Sequence, residues 1–195
     1  MNNSKVLHFG PLLFYSQITD AQLESVKQLL NKRPENNYRY GLAGHLEEEF
    51  LIDPQKLEQI LLPTFEEFYK AYHAFYYKAL EQQIINKSWV NFMKKGDYNP
   101  WHSHSGCDWS SVLYISIPEK LREEQKNHVG NSQAPGGITF LQELTTIPYS
   151  INSHNLYPGE KDIYIFPSLL QHQVIPFKSD GERITVAFNM SKRSP

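Results

Sequence analysis

The pattern of apolar and polar residues differs between the two halves of the chain. In the first half, apolar residues recur three and four positions apart, which is the spacing of one face of an α-helix. The first such stretch begins at Asp20, whose side chain can cap a helix, and ends before Pro34. Its apolar face consists of Leu23, Val26, Leu29 and Leu30. We therefore predict a short amphipathic helix in this stretch.

Two further helix starts follow. Asp53 before Pro54 is typical of a cap with proline at the first helical position. Thr64 and Glu67 have the spacing of a capping box, which predicts a separate helix that runs to about Ile85. The apolar stripe of that helix would consist of Phe65, Phe68, Tyr69, Tyr72, Tyr76 and Leu80. We interpret this stripe as core packing and assign it no chemistry.

The second half consists of short segments that are rich in β-branched and aromatic residues and are separated by turn residues. The predicted strands are 88–93, 110–117, 137–142, 161–166, 172–177 and 182–190. The N-terminal segment also reads as a strand. Many short strands at such spacing are typical of a sandwich or barrel. The polar segment 119–136 is expected to be an exposed excursion between two strands.

These elements predict one domain over 1–195, in which a helical support over 18–87 is braced against a double sheet over 88–190. A chain of 195 residues with 40% hydrophobic and 13% aromatic residues can bury a sizeable core, which argues against disorder. The polar run 45–50, "HLEEEF", is expected to be a solvated charged face or loop, with a substrate lid as the weaker alternative.

Charge and composition narrow the classes of partner and location. The formal net charge is −2, so binding of duplex nucleic acid through phosphate neutralisation is not expected. The single cysteine, Cys107, excludes an internal disulfide, and no apolar run is long enough to cross a membrane. We expect a soluble protein in a reducing, cytoplasmic setting, with no membrane partner. The oligomeric state is not predictable from these features.

Two histidines stand two positions apart in "NPWHSHSG". Side chains at i and i+2 of an extended segment share a face, so His102 and His104 can converge on one point. Core packing and chance are the alternatives to a metal site. A third ligand would have to come from elsewhere, and the best candidate is His172, which opens a predicted strand directly after a loop. Three ligands on one face of a metal leave other positions open.

An arginine and a threonine share one face of the last predicted strand, "ERITVAFN". Arg183 and Thr185 point the same way as Ala187 and Asn189, while the apolar residues between them point to the other face. The planar guanidinium suits a carboxylate, and the hydroxyl adds a donor beside it. A site that holds a dicarboxylate would use such a pair.

Taken in order, these motifs resemble a known family. The segments "SWVNFMKKGDYNPWHSHSG", "SSVLYISIP", "GGITF", "YPGEKDIYIFPSLLQHQV" and "ERITVAFN" are similar to those of the 2-oxoglutarate/iron(II)-dependent oxygenases, in particular a small branch found in bacteria and phages. The resemblance covers about 88–190. It implies a double-stranded β-helix, or jelly roll, with the N-terminal helices packed against one sheet. It also implies iron(II), 2-oxoglutarate as cosubstrate and O2.

The resemblance implies a role for each matching residue. His102 would be the proximal and His172 the distal iron ligand, while Arg183, helped by Thr185, would bind the far carboxylate of 2-oxoglutarate. Tyr114 would donate to the cosubstrate through its phenol, and Asn91 would make a polar contact to it.

The second ligand position departs from the family pattern. Most members have His-x-Asp or His-x-Glu, whereas this chain has His104. Either His104 ligates and the site has three histidines, or Asp108 supplies the carboxylate and His104 stands behind it. The i+2 geometry favours His104. A three-histidine site carries one less negative charge, which would raise the iron potential.

Three functions remain in play. The first is a 2-oxoglutarate-dependent dioxygenase that hydroxylates an unknown small-molecule or protein substrate, with a prolyl or other protein side chain as a candidate by analogy. The second is a cupin-type metal enzyme with three histidines and no 2-oxoglutarate. The third is a non-catalytic jelly roll with a binding or structural role. Trp101 and Trp109, beside the histidines, are interpreted mainly as packing residues.

Overall fold

The computed structural model describes residues 10–30, 37–131, 133–142 and 151–193. The described residues include three α-helices and ten strands, and the strands form two antiparallel sheets. The helices are α1 (Asp20–Leu29), α2 (Pro54–Tyr76) and α3 (Glu119–Lys126). The strands are β1 (Phe14–Gln17), β2 (Glu48–Leu51), β3 (Gln83–Met93), β4 (Asn99–His102), β5 (Trp109–Ser116), β6 (Ile138–Leu141), β7 (Ser153–Leu156), β8 (Asp162–Pro167), β9 (Gln171–Val174) and β10 (Arg183–Lys192).

The two sheets have the arrangement of a jelly roll, as predicted. The larger has six strands in the order β1-β8-β5-β10-β3-β2, and the smaller has four in the order β4-β9-β6-β7. Strands that are distant in sequence are therefore neighbours, because the chain alternates between the sheets. The predicted metal ligands belong to the smaller sheet and the segment that follows its edge strand, whereas Arg183 begins a central strand of the larger one.

The alternation along β10 separates two cores. Val186, Phe188 and Met190 belong to a cluster between the larger sheet and the helices, which also contains Phe65 and Phe68 of α2. Arg183, Thr185 and Ala187 face the other way and line the space between the two sheets. The face assignment made from the sequence is thus correct. Of the predicted aromatic stripe, Phe65, Phe68 and Tyr72 are buried in this core and Tyr69 packs against it, whereas Tyr76 is 37% exposed.

The helix boundaries differ from the prediction in three places. Thr19, not Asp20, caps α1, because its hydroxyl accepts from the backbone N–H of Gln22 and the Gln22 side chain accepts in return. Asp53 caps α2 as predicted. The predicted capping box at Thr64 is wrong, because α2 continues through this point and ends at Tyr76. The Thr64 hydroxyl instead accepts a hydrogen bond from the Gln22 side chain.

The predicted boundary between helical support and β core at residue 88 is also wrong. β3 begins at Gln83, and β2, which lies in the region assigned to helices, forms one edge of the larger sheet. The other edge is β1, which agrees with the predicted N-terminal strand. The run 45–50, expected to be a solvated face or loop, contains most of β2 and buries Glu49. The segment 119–136, expected to be an exposed excursion, is not wholly exposed, since it contains α3, which buries Leu121.

Packing accounts for one of the two tryptophans. Trp109 is buried against Phe68 and Tyr72 of α2, with edge-on ring contacts at centroid distances of 5.0 and 5.8 Å. Trp101 is 41% exposed. No helix among the described residues is long and apolar enough to span a bilayer.

Candidate active site

Three histidines from different parts of the chain meet between the two sheets. His102 ends β4, His104 follows in the next turn, and His172 lies on β9 directly opposite His102 in the strand register. One ring nitrogen of each lies within 4.8 Å of the others, and the Nε2 atoms of His104 and His172 are 3.4 Å apart. Such a cluster of imidazole nitrogens is a suitable ligand set for one divalent metal ion.

Hydrogen bonds orient two of these rings. His102 donates from Nδ1 to the carbonyl of Pro100 at 2.7 Å, and His172 donates from Nδ1 to the carbonyl of Leu170 at 2.9 Å. Because Nδ1 carries the proton in each case, Nε2 presents a lone pair. This is the second contact by which proteins usually fix the tautomer of a metal-binding histidine.

Burial keeps all three imidazoles neutral near pH 7. Burial first, and the electrostatic interaction with the His102 imidazole second, lower the pKa of His104 to about 4 and that of His172 to about 3. Burial also lowers the pKa of His102. The ring of His104 stacks on Trp89 at a centroid distance of 5.7 Å, and its backbone N–H donates to the Ser168 carbonyl. The rings are therefore held, and they are ready to bind a cation without first losing a proton.

Asp108 lies outside this cluster. Its Oδ2 accepts a hydrogen bond from the backbone N–H of Lys192 at 2.8 Å, and its side chain is exposed. Of the two alternatives for the third ligand position, the structure brings His104 to the other histidines and leaves Asp108 at the end of β10. Cys107 is also outside the cluster, and burial raises the pKa of its thiol.

Arg183 lies at the far end of a narrow cavity whose wall also includes the three histidines. The side chain is 2% exposed and forms no ion pair with a described residue. Its Nη1 donates to the carbonyl of Gly136 at 2.6 Å, Nη2 contacts the Met93 sulfur, and Nε has no partner among the described residues. Burial lowers the pKa of this guanidinium. A buried cation without a counter-charge is costly, so this end of the cavity favours an anion.

Further unpaired polar atoms belong to residues that line the same cavity. The Tyr114 hydroxyl and the Asn91 Oδ1 are buried and have no partner among the described residues. The Asn91 Nδ2 donates to the Thr185 hydroxyl at 3.3 Å, and burial raises the pKa of Tyr114 to about 12, so its phenol keeps its proton. A carboxylate placed beside Arg183 would offer acceptors to the Tyr114 hydroxyl and to the guanidinium N–H groups. The polar groups of this cavity thus match a ligand with an anionic end at Arg183 and metal-binding oxygens near the histidines.

The strand register explains why these residues meet. Asn91 on β3 pairs with Thr185 on β10, and Thr185 pairs with Tyr114 on β5, so the three lie in one row across the inner face of the larger sheet. Glu49 on β2 is the next member of the row, opposite Asn91. Sequence reasoning placed Glu49 in a solvated run. The only signal in its favour was the alternation of β2, which is too short to stand out.

Comparisons with known proteins agree with this geometry. The family model described as "Putative 2OG-Fe(II) oxygenase" matches residues 87–189, which is more than half of the chain. A comparison with curated proteins found no match.

Solved structures with a similar fold include a prolyl-4-hydroxylase from Pseudomonas putida, which is 15% identical, with 93% of each chain covered and a TM-score of 0.57. A viral collagen prolyl hydroxylase from Paramecium Bursaria Chlorella virus-1, solved as a 2OG complex, is 14% identical over 93% of this chain and 96% of that chain, with a TM-score of 0.53. HygX from Streptomyces hygroscopicus, solved with nickel, 2-oxoglutarate and hygromycin B, is 10% identical over 93% and 83%, with a TM-score of 0.57. At these identities the likeness is one of fold.

The predicted family, jelly-roll fold and cofactors, iron(II), 2-oxoglutarate and O2, are therefore confirmed, and the assignment as an oxidoreductase is confirmed at the level of the family. The roles of individual residues stay predictions. The chain belongs to the 2OG-Fe(II) oxygenase family.

Proposed function

We propose that this protein is a dioxygenase that uses iron(II) and 2-oxoglutarate to hydroxylate a C–H bond of its substrate. One observation carries the proposal. A single cavity has three neutral imidazoles and a buried guanidinium without a counter-ion among the described residues in its wall. A metal ion alone would leave the guanidinium unpaired. An oxo-acid that reaches from the metal to Arg183 supplies both missing partners.

In this proposal His102, His104 and His172 hold the iron. Arg183 and Thr185 bind the distal carboxylate of 2-oxoglutarate, and Tyr114 and Asn91 contact the cosubstrate from the same row of the sheet. Bound together, iron(II) and 2-oxoglutarate activate dioxygen, so that the cosubstrate leaves as succinate and carbon dioxide and the substrate gains a hydroxyl group. The protein contributes the fixed rings, the buried anchor and a cavity that limits access of water.

The other two functions explain less of the site. A cupin-type enzyme without 2-oxoglutarate would account for the three histidines but not for the buried Arg183. A non-catalytic jelly roll would account for neither the histidine cluster nor the arginine. A prolyl or other protein side chain stays a candidate substrate by analogy only, since the likeness to the two prolyl hydroxylases is a likeness of fold. The predicted cytoplasmic location likewise stays a prediction.

Thermal unfolding tests the cosubstrate pocket. We expect Mn(II) to raise the Tm of the wild type and 2-oxoglutarate to raise it further, because a ligand that binds only the folded state stabilises it by about 2.7 kcal/mol at 100 times its Kd. Arg183→Gln should lose the increment from 2-oxoglutarate and keep the increment from the metal. Arg122→Gln, which removes an exposed arginine on α3, is the matched control and should keep both.

Activity is tested by succinate release from 2-oxoglutarate under air with iron(II) and ascorbate. Slow release without a substrate is expected for the wild type and none for His172→Ala. A wild type that binds Mn(II) but gains no stability from 2-oxoglutarate, or an Arg183→Gln variant that responds to it like the wild type, would refute the proposed cosubstrate pocket.

A further inference from the structure

A second cavity, of about 380 Å³, adjoins the histidines and is much wider than the one that leads to Arg183. The two share Trp89, Asn99, His102 and His104 in their walls. We call the second one the wide cavity. Polar groups form most of the rest of its wall, including Glu49, Lys87, Ser103, Ser105 and Asn189. Its volume is in the range of sites for small molecules.

Glu49 is the unusual member of this wall. Its side chain is 1% exposed, and its Oε2 has no hydrogen-bond partner among the described residues. Burial first and nearby Asp97 second raise the pKa of this carboxyl, against an opposing effect of Arg39, to about 7. A buried carboxyl is normally paired, because removing it from water without a partner is costly.

The nearest cations do not pair with it. The Arg39 guanidinium lies 5.5 Å from the centre of the Tyr40 ring, and the Lys87 ammonium lies 4.4 Å from that of Tyr38. Neither forms an ion pair with Glu49 in the part of the chain that the structure describes. Within the described residues, the carboxyl therefore lines the cavity without a donor to Oε2.

A second acceptor lies near Glu49. A Cβ atom added to Gly44 would contact Leu46 Cδ1 most closely and would lie 2.7 Å from Asn99 Oδ1 and 2.8 Å from Glu49 Oε1, so the two oxygens are neighbours beside the Gly44 backbone. The Asn99 Oδ1 is also buried and has no partner among the described residues. Turning the Asn99 amide over would exchange this oxygen for a donor and would leave Glu49 Oε2 as the unpaired acceptor.

We infer that the wide cavity binds a small-molecule substrate through a protonated amine, with Glu49 as the residue that anchors it. An ammonium group carries three donors and no acceptor, which matches unpaired acceptors on a carboxyl and an amide. Its charge would hold the carboxyl ionised through charge-assisted hydrogen bonds. A prolyl side chain within a peptide has neither the charge nor an N–H of its own to give.

The amine site has a role in catalysis only if the proposed function holds, and in this respect the inference rests on that function. An amine bound at Glu49 lies in the same cavity as His102 and His104, so a C–H bond elsewhere in the same molecule is within the space that adjoins the metal ligands. Glu49 would then decide which molecules enter and which C–H bond is presented, without taking part in the chemistry. It is a positioning and specificity residue, separate from the anchor for 2-oxoglutarate.

The anchor is tested without a metal by NMR of protein labelled with ¹³C at the glutamate carboxyls. Propylammonium and 1-propanol are the probes, since they have nearly the same shape and differ in charge. We expect the Glu49 signal, assigned by its loss in Glu49→Gln, to shift with a Kd about tenfold lower for propylammonium, the effect of one charge-assisted hydrogen bond. Equal affinity for the two probes would overturn the inference.

Relaxation by bound Mn(II) then tests the position of the amine. Mn(II) should broaden the methyl protons of propylammonium more than those of propanol in the wild type and in the matched control Glu47→Gln, whose side chain is exposed. In Glu49→Gln the additional broadening of propylammonium relative to propanol should fall by about tenfold. An excess that survives in Glu49→Gln would overturn the inference. Absence of Mn(II) binding would instead refute the proposed function and leave the NMR result on the anchor intact.

Discussion

Two residues that are usually charged and exposed, Arg183 and Glu49, are almost fully buried on the inner face of the larger sheet. Their strands flank β3, and Thr185, which lies in the same row as Glu49 and Asn91, is two residues from Arg183. Each has an unpaired polar atom that lines a cavity next to the histidines. At the scale of single residues, an unpaired buried charge is therefore the clearest mark of a binding site in this protein.

The raised pKa of Glu49 has a consequence for stability. A carboxyl whose pKa is higher in the folded than in the unfolded state makes the protein less stable as pH rises from about 4.5 to 7, since only the unfolded state readily loses the proton. Glu49→Gln removes this loss. We expect the variant to gain about 2–3 kcal/mol relative to the wild type between pH 5 and pH 8 in urea unfolding. A difference that is independent of pH would contradict the burial of an unpaired carboxyl.

The third ligand position can be decided by two substitutions. We expect His104→Ala to weaken Mn(II) binding by more than about 100-fold, because even the outer partners of metal ligands contribute about 10–100-fold. Asp108→Asn should bind like the wild type, since the carboxylate of Asp108 contacts the backbone of Lys192 and not the cluster. Titration monitored by the EPR signal of free Mn(II) measures both. The reverse order would assign the position to Asp108.

At the scale of elements, α2 contains a proline in its interior and yet is 23 residues long. Pro63 has no N–H for the carbonyl one turn earlier and is exposed, so its ring adds no core packing. The helix is held by its apolar stripe, which packs on the larger sheet, and this tertiary contact outweighs the local break. The sequence predicted a new helix start at Thr64, directly after this proline, because Thr64 and Glu67 have the spacing of a capping box.

A pair of proline substitutions tests this balance. Pro63→Ala should raise the free energy of unfolding by about 1–3 kcal/mol, because proline in a helix interior is about 3 kcal/mol less favourable than alanine. Pro54→Ala is the matched control and should change stability little, since Pro54 occupies the first turn, where its missing N–H has no partner in any case. Urea unfolding of the three proteins measures the difference. Equal effects of the two substitutions would show that α2 is not strained at Pro63.

At the scale of the whole molecule, the candidate site lies between two sheets that differ in how extensively they pack against the rest of the protein. β10 is bonded on both sides, by β3 and β5, and its outer face packs against the helices. The smaller sheet has four strands, and its edge strand β7 exposes Ser153, His154 and Asn155. The histidines that would hold the metal come from the less supported side.

Hydrogen exchange should show this asymmetry. We expect the slowest amides in β10, β5 and β3 and the fastest strand amides in β7, because protection follows burial and bonding on both sides. Mn(II) with 2-oxoglutarate should slow exchange most in β4 and β9, which position His102 and His172. Mass spectrometry of deuterated peptides measures both effects. Slowing confined to the larger sheet would contradict a metal site at the histidines.

Much of the site was visible in the sequence because it depends on local alternation. The i+2 spacing of His102 and His104 and the shared face of Arg183 and Thr185 follow from the geometry of a strand, whatever surrounds it. Asn91 and Tyr114 came from the family resemblance, and the structure places both in the wall of the same cavity. Their contact with the cosubstrate stays a prediction.

What the sequence determined by itself was the alternation of short strands, the family and the set of side chains that could carry the chemistry. Only the tertiary structure decided that His172 meets the other two histidines, that Asp108 does not, and that Glu49 is buried in a second cavity. The physical reason is that antiparallel pairing between distant strands creates these contacts. Such pairing depends on the register between strands and on which strand occupies an edge. Neither feature can be predicted from the residues of one strand alone.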